Sequence, residues 1–151
     1  MKLKHLKHTD TLDFFAVDED SFSSIPMFSD AVQAGFPSPA EDHMDMDLNL
    51  NDHLVQNPSA TFCVKAIGES MKDAGIQSGD VMVVDRSLEP ENRSIVLAVI
   101  DGEFTVKRVN INDNKLYLMQ ENNSFSPIKI TEEMDFQIWG VVTFIIHKAC
   151  L

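Results

Sequence analysis

Past Pro58 the chain settles into short runs of β-branched and aromatic residues separated by turn formers. They are Thr61 to Ile67 (TFCVKAI), Val81 to Asp85 (VMVVD), Ile95 to Ile100 (IVLAVI), Glu103 to Val109 (EFTVKRV), Lys115 to Gln120 (KLYLMQ) and Phe136 to His147 (FQIWGVVTFIIH). Residues of these types suit a pleated, half-buried surface, so six such runs predict a mostly β domain. Asp101-Gly102 is the strongest hairpin signal, because a two-residue reverse turn matching the strand twist needs positive φ, which glycine adopts at little cost. Alternation along the strand after that turn sets Phe104, Val106 and Arg108 on one face and Thr105, Lys107 and Val109 on the other. Upstream, Leu48, Leu50, Leu54 and Val55 fit a short helix from Leu48 to Gln56, which ends before Asn57-Pro58 because a residue preceding proline prefers extended backbone. Residues 1 to about 44 show no sustained period and collect Pro26, Pro37 and Pro39 among Ser, Asp and Met. They predict an extended N-terminal arm, residues 1–44, ahead of a β domain over 45–151. Ile25-Pro26-Met27-Phe28 and Phe36 are apolar enough for the arm to lie against that domain.

Composition narrows the function classes. The 151 residues suffice for one real core plus an arm, not for two ordinary domains. With 24 acidic against 12 basic residues the formal charge is −12, so the surface repels polyphosphate and direct sequence-specific DNA binding is not expected. No apolar run approaches the roughly 20 residues that span a bilayer, and the basic start MKLKHLKH leads into polar residues instead of a signal-peptide core. The expectation is a cytoplasmic protein without a membrane partner. Cys63 and Cys150 are far apart and read as reduced packing residues. His5 and His8 read as part of a solvated basic segment, and Trp139-Gly140-Val141-Val142 as core or subunit interface. No cofactor or metal is expected.

The chemistry centres on two positions. Ser70, in GESMKDAG, sits where a strand gives way to a possible helix start, and Lys107 follows within an apolar strand. A serine hydroxyl needs a base to become a nucleophile, and none of the five histidines is well placed to be one. A lysine serves only when neutral, which requires desolvation among apolar neighbours to lower its pKa from about 10.4 toward 7. Backbone N–H groups of Ser70 and of Glu69 or Met71 would stabilise the oxyanion formed at an attacked peptide carbonyl. On spacing alone a blander reading is favoured, since both residue types are common: Ser70 as a helix cap and Lys107 as a solvent-facing strand lysine. Upstream, AVQAGFPSPAED holds an Ala34-Gly35 bond of little bulk in a stretch that Pro37 and Pro39 keep extended, the form that proteases bind. An intramolecular substrate is at high local concentration, so a slow catalyst suffices.

Taken together, FSDAVQAGFPSPAED, NPSATFCVKAIGESMKDAGIQSGDVMVVD, DGEFTVKRV, NNSFSPIKI and WGVV resemble the UmuD-type SOS mutagenesis proteins of the LexA-type family of self-cleaving Ser-Lys peptidases. The resemblance runs from about Phe28 to His147 and overturns the reading of Ser70 and Lys107 as incidental. It implies a LexA-type peptidase β domain, a half-open barrel or folded sheet. Ser70 is then the nucleophile, Lys107 its general base and Ala34-Gly35 the bond cut. It implies stimulation by a RecA filament on single-stranded DNA, which reports DNA damage. The shortened product is then a homodimer that joins a UmuC-type DNA polymerase in translesion synthesis. The chain departs from the pattern at Ala34, where UmuD proteins carry cysteine and LexA repressors alanine, and in the additional MKLKHLKHTDTLDFFAVDED at its start.

Three other functions compete. A LexA-type repressor adds a DNA-binding helix-turn-helix, for which about 44 acidic, proline-interrupted residues are too few and of the wrong kind. A bacterial signal peptidase needs a membrane anchor. A non-catalytic polymerase-binding module is the remaining rival, opposed by the joint presence of Ser70, Lys107 and Ala34-Gly35.

Overall fold

A computed structural model describes residues 2–18, 24–28, 44–68, 71–119 and 126–149, with 24–28, 44–48 and Asp73 described by their backbone alone. The elements run β1 (Leu3–His8), β2 (Leu12–Val17), β3 (Ser24–Phe28), β4 (Met44–Asn49), α1 (Leu50–Leu54), β5 (Thr61–Ala66), β6 (Val81–Asp85), β7 (Ile95–Ile100), β8 (Glu103–Asn112), β9 (Lys115–Met119), β10 (Ile128–Lys129) and β11 (Phe136–Ile146). Among the described residues nine strands form one antiparallel sheet in the order β1-β2-β5-β6-β11-β7-β8-β9-β10, and β3 pairs with β4 in a separate two-stranded sheet. The mostly β class expected from the sequence holds.

Each of the six expected strands is present, and β6 and β7 have the expected bounds. The hairpin β7–β8 closes through Asp101 (φ 49°) and Gly102 (φ 86°), with Ile100 opposite Glu103. β8 runs three residues further than expected, because Asp113 and Asn114, both left-handed, close a second two-residue turn onto β9. The helix is shorter than expected. Asn49 caps it by accepting the Asn51 N–H at 3.0 Å, Leu48 belongs to β4, and Val55 is already extended.

The segment expected to be an arm without strand period is, over residues 3–17, two strands of the main sheet. β2 pairs with β5, Leu12 opposite Ala66 and Phe14 opposite Val64, and β1 closes the edge. The physical reason is a short alternation in LDFFAV. Leu12 and Phe14 turn inward and are buried, whereas every residue of β1 is exposed. An outer strand rich in Lys and His leaves its unpaired edge unattractive to other strands.

The sheet curls so that its apolar face meets itself. Four strands stand between β2 and β8 in the order, yet the Phe14 ring packs edge-on against Phe104 at 4.9 Å, and Phe104 against Trp139 at 5.1 Å. Inside lie Leu12, Phe14, Val64, Met71, Met82 and Leu97; Val96, Val109 and Leu118 form a second cluster on the other face. Trp139 is thus core, one of the two roles expected for it, and it carries Arg86 on its ring at 4.5 Å. At Gly140, where the pairing of β11 with β7 shifts, β11 comes so close to β6 that an added Cβ would sit 2.6 Å from Val84 Cγ1 and 3.0 Å from the Asp85 carbonyl oxygen. Gly140→Ala should therefore lower unfolding stability by about 1–3 kcal/mol in urea titrations, through overpacking.

Candidate functional site

β8 carries Lys107 inward. The residue is 5% exposed, so the solvent-facing alternative does not hold. Its ammonium donates to Thr105 Oγ1 and, at 3.2 Å, to the Val106 carbonyl; no carboxylate offsets its burial among the described residues. Removal from water, with no counter-charge, lowers the Lys107 pKa from 10.5 to about 8. Thr105, two residues away on the same strand face, is the partner that sequence reasoning missed, although alternation placed both on one side.

Lys107 and Thr105 line a cavity of about 760 Å³. Its walls join the hairpin that carries Lys107 to distant parts of the chain: Gly68 and Met71, which flank Glu69-Ser70, and Thr11 and Leu12 at the start of β2. Met71 is buried, accepts the Ala74 N–H at 3.1 Å and the Ile76 N–H at 3.2 Å, and so starts the single turn Lys72–Ala74. Both neighbours of the Glu69-Ser70 dipeptide are thus fixed at the cavity that holds the lysine. Ser70, Ala34 and Gly35 lie outside the described residues. Residues 29–43, which include the Ala34-Gly35 bond, connect β3 to β4, and the register of those strands sets Phe28 opposite Met44.

Other titratable groups have structural partners. The Cys63 thiol is fully buried and pushed up to about 11 by desolvation, in keeping with a packing role; Cys150 lies outside the described residues. Burial pushes the Asp85 carboxyl upward, but hydrogen bonds from Asn57 and Ser87 outweigh it and leave the pKa below its ordinary value. His8 donates to Asp13, with His5 at 3.5 Å, so these histidines are tied to a carboxylate across the β1–β2 hairpin. That hydrogen bond from His8 holds the Asp13 carboxyl below its usual range. No three His, Cys, Asp or Glu side chains among the described residues are grouped to hold a metal ion, and no helix there is long and apolar enough to cross a membrane.

A buried, hydrogen-bonded, largely desolvated lysine facing a cavity is the environment a lysine base requires. Comparison with known proteins agrees in kind. The family model described as Peptidase S24-like matches residues 26–143. Protein SamA of Salmonella typhimurium is 47% identical over 126 residues, covering 83% of this chain and 87% of its own length. Protein MucA of Escherichia coli is 44% identical over 131 residues, covering 85% and 89%. The LexA repressor of Colwellia psychrerythraea is 37% identical over 118 residues, which are 78% of this chain but 56% of the repressor.

Proposed function

The chain belongs to the Peptidase S24-like family of self-cleaving peptidases, in its UmuD-like group, and from that premise we propose that it is a serine endopeptidase of the SOS response that cuts its own Ala34-Gly35 bond. The observation that carries this reading is the buried Lys107, desolvated and facing a cavity that both neighbours of the Glu69-Ser70 dipeptide also line.

In this mechanism neutral Lys107 Nζ takes the proton of Ser70 Oγ as that oxygen attacks the Ala34 carbonyl carbon. The tetrahedral intermediate collapses to an ester between Ser70 and Ala34. The Lys107 ammonium returns the proton to the departing amine of Gly35. Water, deprotonated by Lys107, then attacks the ester carbonyl; Ser70 Oγ departs and takes the proton back from the Lys107 ammonium, and Ala34 is left with a free carboxyl group that ionises to the carboxylate. The base is selected by pKa: at about 8 Lys107 is substantially neutral in mildly alkaline solution, where an exposed lysine is not. A RecA filament on single-stranded DNA stimulates the cut, and the shortened homodimer serves as accessory subunit to a UmuC-type translesion polymerase in the cytoplasm.

The test is to incubate the full chain at rising pH, or with RecA, single-stranded DNA and nucleotide, and to follow intact masses. Fragments of 34 and 117 residues are expected, absent in Ser70→Ala. A wild-type chain that stays whole under all these conditions would return the non-catalytic polymerase-binding module as the better reading.

A further inference from the structure

The chain that leads into Ser70 is held by a carboxylate that the proposed chemistry does not use. Asp80 closes the turn from Gln77 ahead of β6 and is 3% exposed. Its Oδ2 accepts the Gln77 backbone N–H at 2.8 Å, and its Oδ1 meets His147 Nδ1 at 2.7 Å. Its carbonyl oxygen accepts the Ala66 N–H at 2.8 Å. The same turn grips the next residues too: Gly79 donates to the Ala66 carbonyl at 2.7 Å, and Gly68 donates to Ser78 Oγ at 3.2 Å. From the opposite side the Thr11 carbonyl accepts the Ile67 N–H at 2.8 Å. Ala66, Ile67 and Gly68, the last described residues before Glu69-Ser70, therefore have all three backbone N–H groups committed, two of them to the Asp80 turn.

A carboxylate withdrawn from water needs partners for both oxygens. Backbone supplies one. The other comes from His147, 67 residues further along the chain and just beyond the end of β11. Take the imidazole away and Oδ1 is a buried acceptor without a protein donor, which the turn relieves by shifting toward water. Such a shift re-aims Gly68 and whatever follows it.

We propose that Asp80 and His147 form a latch that positions Gly68, from which the chain continues to Ser70, so that a residue near the C-terminal end of the chain sets the aim of the nucleophile. This rests on the reading of Ser70 as nucleophile. Both are positioning residues, since neither lines the cavity that holds Lys107. Their leverage comes from geometry, because misplacing a reacting atom by a fraction of an ångström slows a reaction far more than it alters the fold.

The experiment uses the full chain and reads self-cleavage across the alkaline range, with Gly140→Ala as a control that lowers stability away from the turn. His147→Ala should cut about tenfold more slowly on the alkaline plateau while the pH midpoint, set by Lys107, stays where it is. His147→Gln, whose amide still donates to Asp80, should recover most of the rate, and Gly140→Ala should cut as the wild type does. In a Ser70→Ala background, hydrogen exchange at the Gly68 amide should be faster in His147→Ala than in the parent. A His147→Ala chain that cuts at the wild-type rate with unchanged Gly68 exchange overturns the latch. So does a His147→Gln chain as slow as His147→Ala. If the wild type never cuts itself, the peptidase reading falls separately, and the Gly68 exchange still decides whether His147 holds the turn.

Discussion

Self-cleavage of the full chain is expected to rise about tenfold per pH unit below roughly pH 8 and to flatten above it, as Lys107 loses its proton. With a pKa of about 8, roughly a tenth of the lysine is neutral at pH 7; at its ordinary 10.5 only about three parts in ten thousand would be. Burial therefore enriches the neutral amine of Lys107 about 300-fold at neutral pH. Lys107→Met keeps the apolar stem and removes the base, and should slow the cut by about a hundredfold to ten-thousandfold on the alkaline plateau and abolish the rise through about pH 8. Intact-mass time courses between about pH 6 and 11 check both statements. A Lys107→Met chain that retains the wild-type profile would sink the assignment of the base.

The same burial acts on stability with a definite sign. The folded chain disfavours the ammonium form and the unfolded chain does not, so below about pH 8 both states are protonated and the fold bears the full cost. Between about 8 and 10.5 the unfolded state holds the extra proton, so the contribution of this group to stability improves as pH rises and the cost is gone above that window. At pH 7 the cost is on the order of 3 kcal/mol, so Lys107→Met in a Ser70→Ala background should be more stable than its parent at pH 7 and lose that advantage by about pH 11. Such an exchange of stability for activity is expected wherever a site must hold a group in an unfavourable environment.

Local signals found the strands of the domain and not the way it closes. Val81–Asp85 and Ile95–Ile100 are nearly continuous apolar runs with clear turn residues at both ends, and Asp101-Gly102 dictates its own turn, so their bounds are local properties. The burial of Lys107 is not one. By alternation the side chains of its sequence neighbours Val106 and Arg108 point to the opposite face, and the cavity is closed only when Thr11, Leu12, Gly68 and Met71, none of them near it in sequence, join the residues of its own hairpin. The Asp80–His147 contact spans 67 residues, which no periodicity reports. β2 is an intermediate case. Its alternation, Leu12, Phe14, Ala16, is three residues long, too short to stand out beside the prolines and acidic residues downstream, and its strand character is completed by β5.

That intermediate case carries the second large expected effect. Phe14→Ala should lower the unfolding free energy by about 3–5 kcal/mol, a large share of what a domain this size has in hand. The Phe14 side chain is buried among Leu12, Val64 and Leu97, stacks on Phe62 at 6.1 Å and meets Phe104 edge-on at 4.9 Å. The adjacent Phe15 points to the other face, half-buried against His5, and the same truncation there should cost only about 1 kcal/mol. Because Phe104 bridges Phe14 to Trp139, the Phe14 variant should also change the near-ultraviolet circular dichroism of the indole before any unfolding begins. Urea titrations of the two variants in a Ser70→Ala background separate the alternatives. If residues 3–17 were a loosely held arm, both truncations would leave the main transition unmoved. Strands that close the core instead require a large loss at Phe14 and a small one at Phe15, in the ratio that their burial dictates.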